Sequence, residues 1–400
     1  MSRIYRFFRH IGICKSNLRT AAILCLAAGF LGQSSALLAQ DKADVIVLPN
    51  GDQLTGTIEN AVGDSVTFKN PATGEITIPL KKIKEIHSQN SFVVIRKDEK
   101  IAKVARPAGT LTYTNGVVTV ATPGTPETVP VSDLAFIVEK STYDKEVIDH
   151  QGFLHGWSGA ISGGATLIRA TQTGTSLSAG IALLREIPSV AYLPPKTRTT
   201  FNLLETYGKL TQPVIPQTTP PTPPSEAKTS IFHTDAEHDI YFTPRLYALG
   251  DVSYDHNFSQ GLNLQQIYGG GLGWTPILTP VQQLDFKADV HYQMQTFIQP
   301  NPIDATHPRV PNQNLIGNTF GEAYHRTLPA KILFTESASI LPSWNNMDAY
   351  SAVAAAGLSI PAYKRFSVGL NATDNYLNLP SPGFKKNSFQ FVTSIVYNLK

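Results

Sequence analysis

The chain has 400 residues, enough for two or three domains, with 42% hydrophobic and only 16% charged side chains. Its formal charge of +3 is spread without any basic patch interleaved with aromatics, which excludes nucleic acid as a partner. No apolar run past the N-terminal leader approaches the ~18 residues of a membrane-spanning helix, and 29 glycines, 28 prolines and many Thr, Tyr and Phe suit an all-β protein.

Residues 1–39 read as a secretory signal peptide. Arg3, Arg6, Arg9, Lys15 and Arg19 form a positive start without an acid, Ala21 to Leu31 is an apolar core, and Ser34-Ser35-Ala36 or Leu37-Leu38-Ala39 offers a cleavage site. Both cysteines, Cys14 and Cys25, fall inside it, so the exported chain carries no disulfide and depends on burial or on a closed sheet. Without those five basic residues, 28 Lys and Arg face 30 Asp and Glu, a net charge of −2.

Residues 43–140 read as a β-domain of two small related modules. Val45 to Leu48, the turn Asn50-Gly51, then Leu54 to Ile58, Ser65 to Phe68, Ile76 to Leu80 and Ile83 to Ile86 make the first run. Leu111 to Tyr113, the turn Asn115-Gly116, Val117 to Val120, Val129 to Val131 and Leu134 to Ile137 make the second. Ile78-Pro79-Leu80 and Val129-Pro130-Val131 recur at the same place in each. No acid or histidine cluster stands out, so this domain reads as a plug or spacer, the alternative being that it binds a periplasmic ligand or partner.

From residue 152 the texture changes to long alternating segments. Twelve are expected, near 153–168, 175–187, 198–210, 229–242, 245–256, 263–274, 282–296, 315–328, 330–341, 348–360, 363–377 and 387–399. Leu284 to Thr296 is the clearest: Leu284, Phe286, Ala288, Val290, Tyr292 and Met294 take one face, and Asp285, Lys287, Asp289, His291, Gln293 and Gln295 the other. At 3.6 residues per turn those charges would wrap a helix, so a strand is required. Its length matches the ~9–11 residues of a tilted transmembrane strand better than the ~5–6 of a soluble sheet.

From the fourth segment onward, tight proline-bearing connections (Phe242 to Arg245, Trp274 to Pro280, Leu328 to Ala330, Ile360 to Ala362) alternate with looser ones (211–228, 297–314, 342–347, 378–386). Short periplasmic turns and longer outer loops on an even strand number describe an outer-membrane barrel with the 43–140 domain beneath it in the periplasm. The ten-residue connection 188–197 breaks that pattern. Trp157, Tyr241, Phe242, Tyr247, Trp274, Trp344, Tyr363 and Tyr376 sit near strand ends as interfacial girdles would. The alternative is that these aromatics fill the core of a soluble sandwich. His238 and Glu336 fall on oily faces, so either both lie near an interface or the register slips there.

The final run, Phe389, Phe391, Ile395, Tyr397 and Leu399 alternating with polar residues, is of the kind that outer-membrane insertion machinery reads. With Gly156-Trp157-Ser158-Gly159, the closing Val396-Tyr397-Asn398-Leu399 and the upstream Asn50-Gly51-Asp52-Gln53-Leu54-Thr55-Gly56, the chain resembles the salt-induced outer-membrane-protein family. That resemblance implies an exported bacterial β-barrel whose domain has no assigned function, and it transfers no functional residue.

His233, Asp235, Glu237 and Asp239 share one strand face, with His238 opposite. They could hold a divalent cation, but a polar wall lining a lumen is the plainer reading, shared by Asp251, Asp255 and His256 and by Asp285, Asp289 and His291. Gly269-Gly270-Gly271-x-Gly273 has no helix after it to make a phosphate loop, and glycines in a strand mark close packing or a kink. Neither a nucleophile elbow nor a zinc-protease motif occurs. No catalytic residue, metal ligand or cofactor is therefore assigned. The expectation is a non-catalytic outer-membrane β-barrel of about twelve strands, structural or a pore for small polar or cationic solutes, with lipid and the insertion machinery as partners. A membrane-embedded hydrolase and a secreted β-protein that binds carbohydrate or a surface partner are the alternatives.

Overall fold

The computed structural model describes residues 43–399, apart from 100, 102, 123, 150–151, 170–172, 213–224, 299–311 and 383. The signal peptide read over 1–39, with both cysteines, lies outside the described residues.

Among the described residues nine strands come first: β1 (Asp44–Val47), β2 (Gln53–Val62), β3 (Ser65–Asn70), β4 (Gly74–Pro79), β5 (Glu85–Arg96), β6 (Gly109–Thr114), β7 (Val117–Ala121), β8 (Glu127–Pro130) and β9 (Leu134–Glu139). They form one sheet in the order β4-β3-β2-β1-β5-β6-β7-β8, and β9 folds back to pair with both β2 and β5. Both sequence runs feed this sheet, and each carries the same corner. Pro79 and Pro130 end a strand, and a single 3-10 turn follows at Leu80–Lys82 and at Val131–Asp133. Alternation puts Ile46, Ile58, Phe68, Ile86, Leu111 and Ile137 into one dry core. Asp44 is fully buried there; its carboxylate accepts the Ile58 N–H at 2.6 Å and hydrogen bonds from the Ser88 hydroxyl and Asn90. A short helix, α1 (Lys140–Tyr143), and a π-turn (Asp144–Ile148) lead out.

Twelve strands follow and close into an antiparallel barrel: β10 (Trp157–Arg169), β11 (Thr173–Ile187), β12 (Thr197–Gln212), β13 (Ser225–Tyr241), β14 (Leu246–Asn257), β15 (Leu262–Thr279), β16 (Gln282–Phe297), β17 (Gln313–Thr327), β18 (Leu333–Leu341), β19 (Ser351–Tyr363), β20 (Phe366–Leu377) and β21 (Asn387–Asn398). The ring shuts where Ala160, Ile161, Ser162 and Gly163 pair with Asn398, Tyr397, Val396 and Ile395. Every expected segment is a strand. Two turns lie further along than proline suggested: β15 runs through Pro276 and β19 through Pro361, each at a register shift where the missing N–H costs no ladder bond.

The barrel is inside out relative to a soluble one. Outward side chains are apolar and exposed, among them Val290, Phe320, Ile340, Phe391 and Ile395, while Asp239, Asp285, Asp289, His291 and Gln293 are buried toward the axis. His238 and Glu336 do point outward. The register does not slip; each stands three residues from the tight-turn end of its strand, at Tyr241 and Leu333. Two girdle assignments fail. Tyr247 is fully buried and Tyr241 pairs with it, so both face the axis, whereas Phe242, Trp274, Trp344 and Tyr363 are exposed.

Candidate functional site

Because successive residues of a strand face opposite sides, β13 presents His233, Asp235, Glu237 and Asp239 to the axis and turns His238 out, where it meets the Thr199 hydroxyl at 2.8 Å. β14 adds Tyr247, Asp251 and Asp255, but not His256, which faces away and bonds the Asn263 carbonyl. β16 adds Asp285, Lys287, Asp289 and His291. These residues stack in layers from the tight-turn end of the lumen to the loop end.

The first layer is built on Arg198, 8% exposed. Its Nε donates to Asp239 at 2.7 Å and its Nη1 to Asp285 at 3.0 Å. The guanidinium lies 5.0 Å from the Tyr247 ring centre and 5.8 Å from that of Tyr241, and Thr275 donates its hydroxyl to Asp285. Arg198 and Asp285 belong to the third and seventh strands of the ring, so this pair is a chord across the lumen. The glycine run of β15 makes it fit. A Cβ on Gly273 would lie inside the Tyr247 ring, and one on Gly269 would meet the Asp251 carboxylate at 2.5 Å. The glycines are a floor for lumen side chains; they are not a phosphate loop.

Next along the axis, Lys287 donates to Glu237 at 2.6 Å. Above that, His233 sits between Asp235 (3.0 Å) and Asp255 (2.6 Å), and Asp289 accepts from the Thr319 backbone at 3.2 Å with the His291 ring beside it. Gln293 and Gln295 then both donate to Gln265, at 2.7 and 2.8 Å. Each histidine and lysine of this wall is thus already held by a carboxylate of the same chain. The opposite wall, from β18 round to β11, carries small neutral residues such as Ser162, Gly180, Ser337, Ala355, Asn371 and Gln390. Two spaces of about 550 and 470 Å³ lie in the lumen, the larger lined by both walls, and Asn202, His233 and Asp235 line both spaces.

A lid crosses the loop end. The β14–β15 connection is only a single 3-10 turn, Phe258–Gln260, where a longer outer loop suited the pattern. Gln260 reaches over the mouth and donates to the carbonyls of Asn375 at 2.9 Å and Lys386 at 2.5 Å. Ser381 bonds back to Gln260 and Ile298, and Phe258 meets Phe384 edge to face. β14 and β20 are the fifth and eleventh strands, six apart in a ring of twelve, so the lid spans the full width. No periodicity in the sequence marks it, because its partners are backbone carbonyls.

The connection, nine residues long at 188–196, also acquires a role. Leu193, 3% exposed, inserts among Val93, Ile95, Val138, Tyr143 and Val147 of the N-terminal domain. Ser189 donates its N–H (2.7 Å) and hydroxyl (2.9 Å) to Glu146, which also meets His155 at 3.1 Å. Burial pushes the Glu146 carboxyl up, but these hydrogen bonds and His155 outweigh it and hold it below the ordinary range. Burial likewise pushes the Tyr192 phenol up to about 12, reinforced by Glu139, Glu146 and Glu59 nearby. The domain is therefore strapped to the tight-turn end of the barrel.

Residues 189–399 match the family model described as protein of unknown function, DUF481. Comparison with curated proteins yields no match. Among solved structures, the translocator domain of the autotransporter NalP from Neisseria meningitidis is similar at TM-score 0.33 and 11% identity, over 60% of this chain and 88% of that one. The NanC porin gives 0.33 and 7%, over 60% and 98%. The outer membrane channel DcaP of Acinetobacter baumannii gives 0.26 and 10%, over 89% and 94%. At such scores the likeness carries nothing about what this chain does.

Proposed function

The chain belongs to the DUF481 family of proteins of unknown function, so its role must be read from its own lumen, and we propose that it is an outer-membrane barrel passing small polar, preferentially cationic solutes. The observation that carries this reading is the inverted barrel: apolar side chains outside, and inside a wall where Asp235, Glu237, Asp239, Asp251, Asp255, Asp285 and Asp289 outnumber the fixed cations Arg198 and Lys287. Closed antiparallel strands satisfy every backbone group without water, as a bilayer demands. The excess of carboxylates lowers the potential along the axis and concentrates cations there.

The tight-turn end, with the N-terminal domain, faces the periplasm in this reading, and the resemblance to the salt-induced outer-membrane-protein family agrees with an envelope role. The Arg198–Asp285 chord and the Gln260 lid narrow the path, so conductance is expected to be small. The test is reconstitution of the full chain in planar bilayers under a KCl gradient. A reversal potential of the sign for cation preference is expected. Anion preference, or a protein that never enters the bilayer, overturns the proposal.

A further inference from the structure

We propose that the tight-turn end of the lumen is a guanidinium-binding site that Arg198 itself occupies, and that the solutes this barrel admits carry a guanidinium group able to exchange with it. This rests on the cation-preferring reading of the lumen. The site is built for that group and not for cations in general. Asp239 and Asp285 approach from different strands and take two separate N–H groups of one planar fork, at 2.7 and 3.0 Å. Tyr241 and Tyr247 present rings at cation–π distance, a contact that favours a flat delocalised cation. Asp239 and Tyr247 are 1% and 0% exposed, so the box is formed in the interior of the protein.

Arg198 also leaves part of the box unused. Oδ1 of Asp239 and the hydroxyl of Tyr247 are buried and have no hydrogen-bond partner. A free guanidinium, unconstrained by a side-chain stem, can turn to reach acceptors that Arg198 cannot. Exchange is also the mode of passage that leaves no buried carboxylate bare. Pulling Arg198 away unaided would strand Asp239 and Asp285, which is strongly unfavourable, whereas a solute bearing the same group keeps both paired throughout. Further along, Glu237 holding Lys287 and the buried Oδ1 of Asp251, itself without a partner, offer the next stations.

The test uses the full chain refolded in micelles and the temperature at which its unboiled gel band converts to the boiled one. Arg198→Ala is expected to convert at lower temperature than wild type and to recover by several degrees in millimolar guanidinium, but not in tetramethylammonium at equal ionic strength. Equal effects of the two cations overturn the site. If Arg198→Ala gives no folded band, bi-ionic reversal potentials of the wild type decide. Guanidinium is expected to permeate several-fold better than potassium, and Asp239→Asn to abolish that preference. A pore that selects cations in KCl yet treats guanidinium and potassium alike removes the site and keeps the pore. A pore without cation preference removes the reading beneath it.

Discussion

Val290 offers the sharpest test of what surrounds the barrel. It is outward-facing, 51% exposed and midway along β16. At ~3.3 Å per residue and a ~40° tilt, it lies roughly 20 Å from either strand end, near the middle of a ~25 Å apolar band. Val290→Arg should then cost about 2–4 kcal/mol. Ile240, 53% exposed and also outward, stands next to the last residue of β13, where the same substitution should cost about 0–1 kcal/mol. On a water-facing surface both changes would fall within about 0.5 kcal/mol of zero. The two exposures are nearly equal, so only depth separates the sites. Urea titration of each variant in lipid vesicles, with the unboiled gel band as readout, measures the difference. If Val290→Arg and Ile240→Arg agree within about 0.5 kcal/mol, the oily surface does not face hydrocarbon.

Three further outcomes follow from the lid and the strap. Gln260→Ala removes both cross-lumen hydrogen bonds at the loop end, so single-channel conductance should rise while the barrel keeps its heat-modifiable band; unchanged conductance would show that the lid does not restrict the path. Leu193→Ala should weaken docking of the N-terminal domain by about 2–5 kcal/mol. Limited proteolysis near 150 should then release that domain and leave the barrel intact, and equal protease resistance would refute the docking role. Glu146 has a lowered carboxyl pKa, so its stabilisation of the junction is complete above the ordinary value of 4.5 and fades as pH falls through the lowered one. Cleavage at the junction should increase over that acid range in wild type and show a smaller step in Glu146→Gln; identical profiles would dismiss Glu146 as the titrating clasp.

Which parts of this were legible in the sequence depends on the range of the interaction. Alternation is local, so Asp285, Lys287, Asp289 and His291 could be set on one face from β16 alone, and the twelve strands follow from the same period. Which wall that face belongs to is settled only by closure. Nothing local marks Arg198, because it is the second residue of a strand and stands between two threonines, and its partners lie 41 and 87 residues away. Tyr241 and Tyr247 were misplaced for a related reason. A tyrosine near a strand end suits a membrane girdle, and only the missing side chain of Gly273, on another strand, opens room for Tyr247 inside. Pro276 and Pro361 misled because proline at a register shift looks, in sequence, like proline in a turn.

The strap ties these features together mechanically. Residues 188–196 leave β11 just after Glu186 and enter β12 just before Arg198, and between them Ser189 and Leu193 are fixed to the N-terminal domain. A two-residue turn would join β11 to β12 equally well as a barrel connection, so the extra length serves docking. It also places the domain's anchor five residues from the guanidinium that spans the lumen. Lys196, two residues from Arg198, has its ammonium disfavoured by burial and by Lys103 of the same domain.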